Sequence, residues 1–176
     1  RKYSQLVRRL SNLDVITYKS VAQRGRAEFD QWLQESATEY GLNNVVLVGS
    51  PSSTGEIKLT LPEASAAVLQ HSQPFFLGGV TIAERHATKR NEHERLIEKT
   101  QQGCQFFISQ AVYDAQATID LLTSYARSCR LQGLTPKRII LTFTPCGSEK
   151  TLAFMQWLGI AIPESSRWRI LDAADP

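Results

Sequence analysis

Five short apolar segments recur along this chain at intervals of about 30 residues, and a helix-like segment follows each of them. The apolar segments begin near Val15, Val45, Phe75, Phe106 and Ile139. Short runs of β-branched and aromatic residues that alternate with amphipathic segments are typical of repeated βα units. The pattern therefore predicts an α/β fold with a parallel sheet, in which the carboxyl ends of the strands lie at one edge.

Residues at the segment boundaries support the same division. Helices are predicted over Arg26 to Tyr40, Pro62 to Gln70, Glu92 to Gln102, Ala115 to Gln132 and Ser148 to Leu158. Asn91 and Asp114 stand where a side chain can cap the helix that follows. Gly103, Gly133 and Gly159 stand where helices end. The segments between these elements, including Glu84 to His86, are predicted to be loops.

The composition narrows the classes of protein that this chain can belong to. The 176 residues carry a net charge of +3, and 42% of them are hydrophobic, which predicts one soluble globular domain. The basic residues are scattered, so no nucleic-acid interface is expected, and the cluster at Arg1, Lys2, Arg8 and Arg9 is interpreted as a solvated helix face. No apolar run is long enough to span a membrane.

The three cysteines lie far apart in the sequence. Cys104, Cys129 and Cys146 form no C-x-x-C pair, so neither a disulfide framework nor a zinc site is expected. A reducing, cytoplasmic setting is the simplest one. Cys146 lies beside Gly147 where a strand ends and a helix begins, but without a nearby histidine it is interpreted as a packing or ligand contact.

Polar residues follow the predicted strands at the edge where parallel α/β folds bind ligands. Gln110 lies in a strand that should be buried, and a buried amide needs partners, which favours a binding role. The loop after the second strand, GSPSS, can hold a phosphate or let a planar ring approach, but as a lone motif without the P-loop lysine it is better explained by a turn. Glu84 to His86 can supply an acid, a base or a salt bridge, and Lys99 suits the last turns of a helix.

Several of these segments together resemble the methylenetetrahydrofolate reductase family, whose members are flavin-dependent (β/α)8 barrels. The resemblance is carried by GGVTIAERH, by GCQFFISQAVYD and by the intervening helix NEHERLIEK. LVGSPSS and TPCGSEKTLAFMQWLGIAIPE agree with it as well. It extends from about Asp14 to Glu164, and ISQAVYD is its most specific part.

The resemblance implies a (β/α)8 TIM-type barrel of which only about five central βα units are present. Residues 1–176 would form a single partial barrel domain that lacks the first two strands and the last strand of the family. The family's catalytic glutamate lies on the first strand, so the catalytic residue is unassigned. Five strands would leave two sheet edges open, so the chain is either a portion of a longer protein or a truncated relative. The first is favoured because the sequence begins mid-pattern at Arg1 and stops at Pro176 soon after a helix.

The implied reaction is the reduction of 5,10-methylenetetrahydrofolate to 5-methyltetrahydrofolate by NAD(P)H, usually through FAD. The resemblance places Gln110 and Tyr113 in contact with the folate. It places five residues near the cofactor, namely Gly49, Ser50, His86, Arg95 and Lys99. Ser50 replaces an aspartate close to the isoalloxazine, and Glu98 replaces a cation beside the diphosphate. These departures leave the use of FAD open.

Two other functions are compatible with the sequence. One is a non-catalytic relative that binds folate or a partner protein without flavin. The other is a different (β/α) barrel enzyme, such as a methyltransferase-type barrel, that binds a pterin or a phosphate-bearing ligand at the same edge. No metal site is expected, and homo-oligomerisation stays open.

Overall fold

The computed structural model describes residues 1–49 and 56–173. Within that part of the chain, helices and strands follow one another in this order: α1 (Lys2–Ser11), β1 (Ile16–Ser20), α2 (Arg26–Thr38), β2 (Asn44–Val48), α3 (Leu61–Gln70), β3 (Phe76–Thr81), α4 (Ala83–Lys89), α5 (Glu92–Gln101), β4 (Phe106–Ala111), α6 (Ala115–Leu131), β5 (Arg138–Thr142), α7 (Glu149–Trp157) and α8 (Glu164–Ala173).

The strands form one five-stranded parallel sheet flanked by helices, in the order β1-β2-β3-β4-β5. The register is continuous from Ile16 opposite Asn44 to Ser20 opposite Val48. The next pair begins with Asn44 opposite Phe76. The predicted α/β class and the parallel sheet are thereby confirmed, whereas closure into an eight-stranded barrel stays a prediction.

The chain divides into two compact units, one of residues 1–80 and 99–107 and the other of residues 81–98 and 108–176. The first unit contains fully buried side chains from α2, β2, β3 and β4, namely Phe29, Leu33, Val45, Val46, Leu77 and Phe107. The second contains Leu96, Leu121, Tyr125 and Cys129 from α5 and α6. Near-continuous apolar strands such as β2 are what a sheet covered on both faces requires.

Two adjacent glycines let the first unit pack closely. Phe106 stacks on Phe76 with ring centroids 5.1 Å apart, and its ring lies over the backbone of Gly78. A Cβ atom at Gly78 would collide with that ring, and one at Gly79 would lie 3.3 Å from the ring of Phe107. The glycine pair in the third apolar segment is therefore explained by packing of aromatic rings against β3.

Most of the predicted helix boundaries are confirmed. Asp114 accepts a hydrogen bond from the backbone N–H of Ala117 at 2.9 Å, as an N-cap does. The glycines after α5, α6 and α7 have positive φ angles of 99°, 67° and 78°. Asn91 does not cap α5, because its Oδ1 is buried without a hydrogen-bond partner among the described residues. Helices α4 and α8 were not predicted, and α4 contains the Glu84 to His86 segment that was expected to be a loop.

Helix α1 contacts the rest of the first unit through polar side chains. Arg8 donates to the carbonyl oxygen of Gly41, and Gln5 donates to that of Glu39 at 3.2 Å. Arg1 pairs with Glu35. The expected solvated helix face is confirmed for Lys2, Arg8 and Arg9, which are exposed, although Arg8 also makes the hydrogen bond to Gly41. Among the described residues, no helix is long and apolar enough to cross a membrane.

Candidate functional site

The predicted site residues belong to different parts of the molecule. Gly49 directly follows β2 in the first unit, where a Cβ atom would lie 3.3 Å from the side chain of Leu61, and Lys99 belongs to the same unit. The second unit contains His86, Arg95, Gln110 and Tyr113. Ser50 and the serines of its loop lie outside the described residues.

Gln110 is half-buried on β4, between Ser109 and Ala111, which are both buried. The prediction of a fully buried amide is therefore wrong. Its Nε2 donates one long hydrogen bond, 3.4 Å, to the carbonyl oxygen of Leu158. The Oε1 atom and the second amide hydrogen have no partner within the described part of the chain. This amide can thus both donate to and accept from a ligand.

Tyr113 follows β4 and lies beside the segment after β5. Its hydroxyl donates to the carbonyl oxygen of Thr144 at 3.3 Å, and its ring packs on Ala111, Met155 and Ile160. Burial raises the pKa of the phenol, and the neighbouring thiol of Cys146 adds to the rise. The hydroxyl therefore stays protonated at neutral pH and acts as a hydrogen-bond donor.

We use the name β4–β5 patch for four residues, namely Gln110, Tyr113, Thr144 and Cys146. Cys146 contributes a half-buried thiol that donates to the carbonyl oxygen of Ser148 at 3.8 Å. The other two cysteines are buried, and burial raises the pKa of Cys104 to about 11. The patch therefore combines an amide, a phenol and a thiol at the carboxyl ends of two neighbouring strands.

The side chains of Glu84, Arg85 and His86 have different surroundings in the structure. Glu84 is half-buried in the first turn of α4. Burial raises the pKa of its carboxyl, a hydrogen bond to its own backbone partly offsets this rise, and the charge of Asp114 adds to it. Arg85 pairs with Glu92 and the His86 ring contacts Ser124, whereas the Glu84 carboxyl has a raised pKa, which suits an acid–base role.

Glu92 is a fully buried carboxylate that fixes the start of α5. It accepts from the backbone N–H of Ile82 at 3.2 Å and pairs with Arg85 at 3.1 Å. Arg95 lies 3.5 Å from the same carboxylate. A buried carboxylate requires such partners, because unpaired charge is costly away from water. Sequence patterns gave no signal for the contact between Arg85 and Glu92, since seven positions separate them across a helix break.

Two of the predicted cofactor contacts are directed towards protein groups. The His86 ring is only 3% exposed, and its Nε2 lies 3.2 Å from Ser124 Oγ. Lys99 donates to the carbonyl oxygen of Val80. As placed, these two side chains do not fit a flavin diphosphate, and no reaction step through a flavin follows from them. Binding of FAD stays a prediction.

Side chains that could bind a metal ion do not cluster in the described part of the chain. Within residues 1–49 and 56–173, no group of three or more His, Cys, Asp or Glu side chains is arranged to hold a metal ion.

The fold is similar to that of a protein from Clostridium thermocellum. The TM-score is 0.80 and the sequences are 35% identical over 96% of this chain and 58% of that one. This chain thus spans less than two thirds of that protein's length. The Clostridium thermocellum protein binds two copies of 5-methyl-5,6,7,8-tetrahydrofolic acid. No protein-family model matches the sequence, and no curated protein matches it.

Proposed function

We propose that this chain contributes the folate-binding part of an α/β protein and that its ligand is 5-methyltetrahydrofolate or a closely related reduced folate. One observation carries the proposal: a protein with the same fold and 35% identity over nearly all of this chain binds that compound. Identity at this level, together with a TM-score of 0.80, supports a shared type of ligand more strongly than fold alone would.

The chemistry of the β4–β5 patch agrees with a pterin ligand. The pyrimidinone ring of a reduced pterin is flat, and its edge carries both N–H donors and a carbonyl acceptor. The open Oε1 and N–H of Gln110 match such an edge, because an amide offers both an acceptor and donors. The half-buried ring of Tyr113, which packs on Ala111 and Met155, supplies apolar area in the same patch.

The test is calorimetric titration of the purified protein with 5-methyltetrahydrofolate. We expect saturable binding, and we expect Gln110→Ala to weaken it by about tenfold, equivalent to about 1.4 kcal/mol. Gln105→Ala is the matched control, because Gln105 is an exposed glutamine just before the same strand. Absence of binding to the unmodified protein contradicts the proposal. Equal affinities for the Gln110 and Gln105 variants contradict the role given to Gln110.

A second candidate function is the reductase activity that the sequence resemblance implies. The segments GGVTIAERH and GCQFFISQAVYD favour it, and Glu84 offers a carboxyl whose pKa is raised by burial, as a general acid requires. In this alternative the protein belongs to the methylenetetrahydrofolate reductase family and reduces 5,10-methylenetetrahydrofolate with NAD(P)H, with FAD as the carrier of the hydride.

Absorbance spectra separate the two candidates. Flavin bands that bleach on addition of NAD(P)H support the reductase. A colourless protein that oxidises NAD(P)H only when 5,10-methylenetetrahydrofolate is present supports a flavin-free reductase. A colourless protein that binds 5-methyltetrahydrofolate and leaves NAD(P)H unchanged supports the non-catalytic folate-binding protein.

A further inference from the structure

Two histidines of the second unit lie in contact in the corner formed by α4 and α5. The rings of His86 and His93 meet edge to face, with centroids 5.1 Å apart and planes at 87°. His86 also contacts Ser124 of α6 through its Nε2. The Nδ1 atoms of both rings are buried and have no hydrogen-bond partner among the described residues. Buried nitrogens without partners are uncommon in folded proteins, so this arrangement calls for an explanation.

The charged groups around His86 come from all three neighbouring helices. His93 on α5 and Arg90 at the end of α4 disfavour a proton on the ring, whereas Asp120 on α6 and Glu92 on α5 favour one. Glu92 is already paired with arginines. Burial is the largest influence, and the resulting pKa of His86 lies below its ordinary value of 6.5. The ring is therefore neutral in the folded protein at neutral pH.

We propose that His86, in contact with His93 and Ser124, is an acid-sensitive residue that holds α4 against α6 only while its imidazole is neutral. A proton on the His86 ring places a positive charge in a buried contact, and its Nδ1–H has no acceptor among the described residues. Water can solvate this charge only when α4, which packs on α6, moves away from it.

The direction of the pH effect follows from the lowered pKa. Below about 6.5 the unfolded chain binds more protons at His86 than the folded protein does, so stability falls as the pH decreases from that value towards the lower, folded-state pKa. Glu84 has the opposite effect, because its pKa is raised in the folded protein. As the pH falls, the folded protein binds more protons at Glu84 than the unfolded chain does, so this group increases the stability. A loss of stability at mildly acidic pH cannot originate from Glu84.

The experiment compares thermal unfolding midpoints at pH 7.5 and pH 5.0 for the unmodified protein and two variants. We expect the midpoint of the unmodified protein to fall by about 3 °C or more. We expect His86→Gln, which keeps a donor near Ser124 but does not titrate, to show less than half of that fall. His71→Gln is the control, because His71 is the third histidine of the chain, belongs to the first unit, and has its ring against Gln73 and Phe75. It should show the same fall as the unmodified protein.

Hydrogen exchange provides a readout that does not depend on any variant. The measured quantity is the exchange rate of the Ala83–Lys89 amides divided by that of the Arg26–Thr38 amides, with both rates corrected for intrinsic exchange. We expect this ratio to be at least about tenfold higher at pH 5.0 than at pH 7.5. If His86→Gln does not fold, His93→Phe replaces it, since phenylalanine keeps an aromatic edge and removes the neighbour that lowers the pKa of His86. Equal falls in midpoint for all proteins, or unchanged exchange of α4, would overturn the proposal.

Discussion

Helices α1 and α6 are both amphipathic, but they contact the protein through opposite kinds of side chain. Helix α6 buries apolar residues, including Leu121 at 2% exposure, together with Tyr125 and Cys129. Helix α1 has no buried residue, and it leaves Tyr3 78% and Leu10 79% exposed. Periodicity therefore predicts that each segment is helical, but it does not predict which face lies inward or how strongly the helix is held.

The two helices should differ in the free energy that holds them. Burial of a leucine side chain contributes about 2 kcal/mol, whereas an exposed hydrogen bond or ion pair contributes less than about 1 kcal/mol. Helix α6 should then unfold only with the second unit, and α1 should open locally at much lower cost. Three substitutions test this difference, in decreasing order of expected effect.

The largest effect is expected for Leu121→Ala in α6. The side chain is almost fully buried, so its removal leaves a cavity and should lower the free energy of unfolding by about 2 to 5 kcal/mol. Urea unfolding followed by circular dichroism measures the change. Ile119→Ala is the matched control, because Ile119 is an exposed residue of the same helix. Similar losses for the two variants would contradict the inward orientation of Leu121.

A smaller effect is expected at the start of α6. Asp114→Ala removes the 2.9 Å hydrogen bond to the N–H of Ala117 and should cost about 1 kcal/mol. Asp114→Asn keeps an oxygen that can accept the same bond, so it should retain most of the stability. The same urea titration measures both variants. An equal loss in both would show that the charge of Asp114, rather than its capping oxygen, stabilises the helix. Helix α1 has no corresponding side-chain cap, since its N-cap residue is Arg1.

The features that could be predicted from the sequence are those fixed by local chemistry. The five strands, the cap at Asp114 and the glycines after three helices each depend on residues within a few positions of one another. The apolar run of β2 predicts burial on both faces for the same reason. The parallel arrangement followed from the alternation of strands and helices, which leaves each connection long enough to cross the sheet.

The features that could not be predicted depend on partners distant in the sequence. Helix α4 has only seven residues and no side-chain cap, and it packs on α6 through His86. Gln110 was expected to be buried because its neighbours in β4 are apolar. Its exposure depends instead on how far the segment around Leu158, which is distant in the sequence, covers the side chain. Arg85 and Glu92 meet across the break between two helices. None of these contacts has a periodic signature.

The smallest effect is expected in α1, where it is also the most informative. Arg8→Ala removes the hydrogen bond to the carbonyl oxygen of Gly41, and because the contact is exposed the global free energy of unfolding should change by less than about 1 kcal/mol. Hydrogen exchange of the α1 amides should nevertheless accelerate several-fold, since polar contacts are what hold this helix to the first unit. Arg9→Ala is the control, because Arg9 is also exposed in the same turn and its side chain makes no hydrogen bond or ion pair with the described residues. Equal acceleration in both variants would mean that helix propensity, and not the contact of Arg8 with Gly41, holds α1 in place.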